Sequence, residues 1–155
     1  MINDKGLEIL KHYEGCSLDV YRDPIGIPTI GYGSIFGLDG NRVSMGHRDI
    51  TEGEATDLLF RSCRQAERSV ARLVSIRLTS NQRSALISFI YNVGSGNFQR
   101  STMRMKLNRE DHIGAANEFW KWRRAGGRIL KGLVRRRASE EQLFKERLLE
   151  RNSYG

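Results

Sequence analysis

Near residue 51 the chain changes its hydrophobic rhythm, and that change limits the fold more than any other feature. Residues 16 to 49 are rich in Gly, Asp and Ser, carry both prolines (Pro24 and Pro28) and alternate in short runs. That is the pattern of hairpins or a small sheet. From Thr51 onward apolar residues recur at helical spacing. "ITEGEATDLLFRSCRQAERSVARLV" opens with Thr51 and Glu54, and "LTSNQRSALISFIYNVG" opens with Thr79 and Gln82 and closes at Gly94. Each pair is a capping box. A shorter helix is predicted over Ser101 to Leu107. Another is predicted from Asp111 to Arg124, with Ile113, Ala116, Phe119 and Trp120 at helical spacing. "AGGR" breaks it, and "LVRRRASEEQLFKERLL" supplies a last helix. Ahead of the irregular region, residues 4 to 14 read as a helix with Asp4 as N-cap and Gly15 just past its end. The class is α+β: one helix, a small β region, then a helical bulk.

A chain of 155 residues suits one domain, or two small lobes sharing a core. With 39% hydrophobic residues and two prolines it is a globular chain, not a disordered one. No apolar run approaches the roughly 20 residues that span a bilayer. "MINDKGLEIL" lacks the basic and apolar regions of a signal peptide, so synthesis in a cytoplasm is expected. Cys16 and Cys63 form no metal-binding spacing and are read as free thiols, one or both buried. His12, His47 and His112 are scattered, and neither a metal nor a cofactor is expected. The formal charge of +8 favours polyanions in general: nucleic acid, anionic lipid or a charged wall polymer. The densest cluster, "LVRRRASEEQLFKER", has acidic residues following arginines at short spacing, which predicts a solvated, salt-bridged helix face. Trp120 lies on the apolar stripe of its expected helix and is assigned to the core; Trp122 is left open between core and sugar platform.

Three residues in "HYEGCSLDVYRDPIGIPTIGYGS" carry possible chemistry. Glu14 follows Leu7 by seven residues and Leu10 by four, so it emerges on the apolar face in the last helical turn. Partial desolvation and the helix dipole there both favour the neutral acid, which is what a general acid requires. The alternative is an ordinary exposed glutamate. Asp23 opens "DPIG", the signature of a type I turn, and is read as a carboxylate that stays ionised or simply as a turn residue. Thr29 starts "TIGYG". In a strand, Thr29, Gly31 and Gly33 would share a nearly bare face with room for a sugar ring, unless the glycines merely make turns. A protonated acid, an ionised carboxylate and a hydroxyl able to hold water are together the parts of an inverting glycosidase.

Glu, eight residues, Asp, five residues and Thr opening "TIGYG" resembles the phage-type lysozymes, the endolysins of glycoside hydrolase family 24. "TSNQRSALISFIYNVGSGNFQRSTM" is similar to that family's central helix and following loop, and "GRILKGLVRRRASE" to its C-terminal segment. The resemblance implies one lysozyme-like domain over residues 1–155, with a β-containing lobe at about 15–50 and a helical lobe at about 51–155. A long helix within residues 51 to 74 would join the lobes, and a glycan strand would lie in a cleft between them. The implied reaction hydrolyses the β-1,4 bond between N-acetylmuramic acid and N-acetylglucosamine in peptidoglycan. Glu14 would protonate the leaving oxygen, while Asp23 and Thr29 activate the water. Gly31, Tyr91 and Ser101 fall at substrate-binding positions, and Glu118 where the family often has a neutral polar sugar contact. An arginine of the C-terminal segment would pair with Glu14 and favour its ionised form. Arg136 is assigned, the register staying open among Arg135, Arg136 and Arg137. No stable membrane anchor is expected, so a separate holin would release a monomeric enzyme from the host bacterial cytoplasm to the periplasmic wall.

Two other readings stay open beside the hydrolase. A non-catalytic wall-binding module would use the basic surface alone. A lytic transglycosylase would need the acid but no activated water, leaving Asp23 and Thr29 without a task. A nucleic-acid partner is not expected, since no recognition motif accompanies the charge.

Overall fold

The computed structural model describes residues 1–154, with side chains described as far as Glu146. Helix α1 (Asp4–Glu14) is followed by strands β1 (Ser17–Arg22) and β2 (Pro28–Gly31). Helices α2 (Glu52–Leu73), α3 (Ser80–Val93), α4 (Ser95–Gln99), α5 (Thr102–Asn108) and α6 (His112–Ala116) come next. Strands β3 (Arg124–Ala125) and β4 (Arg128–Ile129) precede the last helix, α7 (Lys131–Tyr154). This is the expected α+β class. Among the described residues no helix is long and apolar enough to cross a membrane. The chain divides into two compact units, Lys11–Arg64 and the remainder, with boundaries inside α1 and α2.

In the unit Lys11–Arg64, β1 and β2 pair antiparallel, Tyr21 opposite Thr29 and Arg22 opposite Pro28. Its core is Ile30, Val43, Ile50, Ala55 and Leu58, with Val20, Tyr32 and Leu38 packed against it. Both capping boxes form as expected. Glu54 N–H donates to Thr51 Oγ1 at 3.1 Å while Thr51 N–H donates to Glu54 Oε1 at 3.1 Å, and Thr79 and Gln82 repeat the exchange at α3. The cap of α1 differs. Asn3, not Asp4, accepts the free amide, Gly6 N–H donating to its Oδ1 at 3.0 Å. Asn and Asp cap equally well, so the adjacent pair left the first turn undetermined by one residue.

In the other unit α3 is buried almost all round, from Ser84 through Ile90 and at Gln82, as befits a central helix. Phe89 lies edge-on to Phe98, Phe119 and Trp122, and Phe119 to Phe144. The predicted helix from 111 to 124 is interrupted: α6 ends at Ala116, and a 3-10 turn covers Phe119–Lys121. The tighter turn shifts the phase by which Trp120 was assigned to the core. Phe119 takes the inward position at 0% exposure, and Trp120 stands 50% exposed, with the Arg123 guanidinium 4.8 Å from its ring centroid. Gly126 and Gly127 both have positive φ, forming the two-residue turn of the β3–β4 hairpin. Cys16 is exposed and Cys63 buried, and neither is in a disulfide among the described residues.

The arginine cluster of α7 is not the solvated face predicted. Arg136, Arg137 and Glu140 are all buried. Intrahelical spacing pairs arginine with glutamate equally well on a wet or a dry face; the packing of α7 against α3 decided which face was dry.

Candidate active site

Helix α1 ends because Gly15 follows Glu14. At φ 69° Gly15 adopts a left-handed conformation and its N–H closes on Lys11 C=O at 3.2 Å. Glu14 is thus the last helical residue, half-buried, with Lys11 and His12 in the same turn.

The turn between β1 and β2 is built around Asp23. Its Oδ1 accepts from Ile25 N–H at 3.0 Å and from Ile27 N–H at 2.8 Å. Its own N–H donates to Ile27 C=O at 2.9 Å, and Gly26 N–H donates to Asp23 C=O at 2.8 Å. This is the turn predicted from "DPIG", reinforced by an Asx arrangement. Asp23 Oδ2 receives no hydrogen bond from the described residues. Thr29 is 3% exposed, and its hydroxyl donates to Ile27 C=O at 2.8 Å. The peptide groups of Ile27 therefore tie Asp23 and Thr29 together, the N–H holding the carboxylate and the C=O holding the hydroxyl. With its proton committed, Thr29 Oγ1 is left to accept, the role needed to orient a water by one of its hydrogens.

The bare strand face expected from Thr29, Gly31 and Gly33 does not form. β2 ends at Gly31; Gly31 (φ 67°) and Gly33 (φ 88°) reverse the chain, and Ile30 and Ser34 pair across the loop with bonds of 2.9 and 2.8 Å. The glycines are there for the turn. Gly31 is buried, and a Cβ on it would lie 3.6 Å from Ala55 and Ile50, so its positive φ, not crowding, demands glycine.

The remaining expected site residues belong to the other unit. Tyr91 is half-buried near the end of α3. Ser101 caps α5, its Oγ accepting from Arg104 N–H at 3.1 Å and donating to Phe98 C=O at 2.7 Å. Arg136 Nη2 donates to Ser88 C=O at 3.1 Å and its Nε to Glu140 Oε2 at 3.3 Å. Arg137 reaches Glu140 Oε1 at 2.8 Å and Asn92 Oδ1 at 2.8 Å, and Ser88 Oγ donates to Glu140 Oε2 at 2.6 Å. Burial pushes the Glu140 carboxyl up, against the pull of Arg137 first, then Arg136 and the Ser88 hydrogen bond. Glu140 was not singled out from sequence. Its spacing of three and four from the two arginines was the available signal, whereas Ser88 lies on another helix and gave none. Among the described residues, no three His, Cys, Asp or Glu side chains gather as a metal-binding group.

Comparison with known proteins adds a consistent set of relatives. A family model described as phage lysozyme matches residues 11–140. The endolysin of Salmonella phage P22 is 38% identical over 143 residues, covering 92% of this chain and 97% of its own. The crystal structure of a P22 lysozyme mutant matches with a TM-score of 0.86 at 36% identity, over 93% of this chain and 97% of that one. The muramidase domain of SpmX from Asticaccaulis excentricus matches with a TM-score of 0.78 at 31% identity, over 93% and 97% of the two chains.

Proposed function

The chain belongs to the phage lysozyme family, and from there we propose that Glu14, Asp23 and Thr29 hydrolyse the β-1,4 bond between N-acetylmuramic acid and N-acetylglucosamine with inversion. The lysozyme-like fold and the endolysin relatives make the protein a cell-wall-lytic glycoside hydrolase of the muramidase type, acting on peptidoglycan. The bond, the stereochemistry and the individual roles are the proposal.

In this mechanism Glu14 gives its proton to the leaving glycosidic oxygen. Asp23 takes a proton from the attacking water through Oδ2, because Oδ1 is engaged by two backbone amides. Thr29 accepts a hydrogen of the same water while Ile27 C=O holds the hydroxyl in place. The observation that carries this reading is the hydrogen-bonded link from Asp23 through Ile27 to Thr29. A plain turn needs the aspartate bonds, but not a buried hydroxyl fixed to the backbone of the same residue. A lytic transglycosylase would leave this arrangement without a task. Gly31, Tyr91, Ser101 and Arg136 keep supporting roles by resemblance. Delivery to the wall by a separate holin belongs to the same proposal, and expression without a holin is expected to leave cells intact until the inner membrane is permeabilised.

The test uses purified peptidoglycan. Wild type is expected to release new reducing ends on muramic acid in the α configuration. Products ending in 1,6-anhydro muramic acid would assign the transglycosylase instead. Glu14→Gln is expected to lower kcat by about 10²- to 10⁴-fold with the thermal unfolding midpoint unchanged; undiminished lysis by that variant would remove Glu14 as the acid.

A further inference from the structure

A pocket of about 280 Å³ in the helical unit is lined by Thr102, Met103, Glu118, Lys121 and Trp122. Its chemistry is unusual for a surface hollow. Glu118 is only 2% exposed, yet it is a carboxylate gripped by two lysines. Lys121 Nζ stands 2.5 Å from Oε2, and Lys106 Nζ stands 3.5 Å from Oε1. Oε1 is buried and accepts no hydrogen bond. Two ammonium groups against one carboxylate leave the cluster with one positive charge in excess.

A buried carboxylate held by ammonium groups is a poor way to gain stability, because its desolvation offsets most of the attraction and a well-packed apolar side chain does as well. What it does supply is position. Lys121 is half-exposed, and an exposed lysine ordinarily samples many rotamers. Here Glu118 anchors its ammonium at the wall of the pocket. Trp122, held edge-on against Phe89 at 5.5 Å between centroids, and Met103 provide an apolar surface beside the charge, and Thr102 adds a hydroxyl. The excess charge repels ammonium groups, and a neutral sugar would leave it unneutralised. A carboxylate on an apolar stem satisfies every feature of the pocket.

We propose that this pocket is a carboxylate subsite through which the enzyme reads the peptide attached to the glycan strand, with Lys121 contacting the carboxylate and Glu118 acting as a positioning residue. The inference rests on the wall-hydrolase reading, since peptidoglycan is the polymer that carries such carboxylates on peptide side chains.

The test measures kcat and KM on three soluble glycan substrates: chains bearing peptides with free carboxylates, the same chains amidated, and peptide-free chains. Wild type is expected to favour the free carboxylate over the amide by about five- to tenfold in kcat/KM, through KM, at low salt. Lys121→Gln is expected to bring that ratio close to one while leaving kcat on peptide-free chains unchanged. Glu118→Gln leaves two uncompensated ammonium groups; it is expected to retain the preference and make it more sensitive to salt. Equal handling of free and amidated substrates by wild type overturns the proposal, as does a preference that survives Lys121→Gln. Failure of the underlying reading looks different: no reducing ends from any of the three substrates, which would remove this inference along with it.

Discussion

Glu140 is the residue whose replacement is expected to harm the fold most for the smallest change in shape. It is fully buried and serves Arg136, Arg137 and Ser88 together. Glu140→Gln keeps the volume but removes the buried carboxylate that Arg136, Arg137 and Ser88 share, a loss of about 3–5 kcal/mol. A urea titration reads it as a lower midpoint with little change in slope; a loss below about 1 kcal/mol would mean the arginines find other partners. Thr29 shows what could and could not be read at this scale. Its identity was legible beside "GYG", but the bond that fixes its hydroxyl runs to the backbone of Ile27, and strand alternation alone gave the wrong surroundings. Alternation presumes a straight strand, and the positive φ of Gly31 ends it.

Among the elements, α2 is specified most completely by local chemistry. Thr51 and Glu54 form both halves of its capping box, and Arg48 adds a salt bridge to Glu54 at 2.6 Å. Thr51→Ala is expected to destabilise by about 1 kcal/mol. The Arg48 guanidinium, followed by the Thr51 amide, lowers the Glu54 carboxyl from 4.5 to about 2. A carboxyl depressed on folding stabilises the folded state above its ordinary range and loses that contribution as it protonates. The Glu54 contribution is thus complete above about pH 4.5 and fades towards pH 2. In Glu54→Gln the part of acid destabilisation specific to that window is expected to vanish, measured as the difference between wild-type and variant unfolding midpoints from pH 6 to pH 2. An undiminished pH dependence would place the titrating groups elsewhere. By contrast, the segment 111 to 124 shows the limit of periodicity. Its apolar spacing was helical, but α6 stops at Ala116, and one tighter turn was enough to send Phe119 inward and Trp120 outward.

For the whole molecule the governing quantity is the formal charge of +8. A basic enzyme gains encounter rate on an anionic wall by long-range attraction, which salt screens over about 10 Å at 0.1 M. Clearing of wall suspensions is therefore expected to slow several-fold between about 0.05 and 0.5 M salt, while cleavage of an uncharged soluble glycan changes little. Equal slowing on both substrates would locate the salt effect in the catalytic step. The amino-acid order by itself determined the α+β class, both capping boxes, the Asp23 turn and the family, because each depends on contacts within a few residues or on a motif of fixed spacing. Tertiary structure alone decided that Arg136 and Arg137 are buried, that Trp120 is exposed, and that Lys106 and Lys121 converge on Glu118. Those outcomes depend on which helix face meets which neighbour, and a charged or aromatic residue carries the same local signal on a wet face as on a dry one.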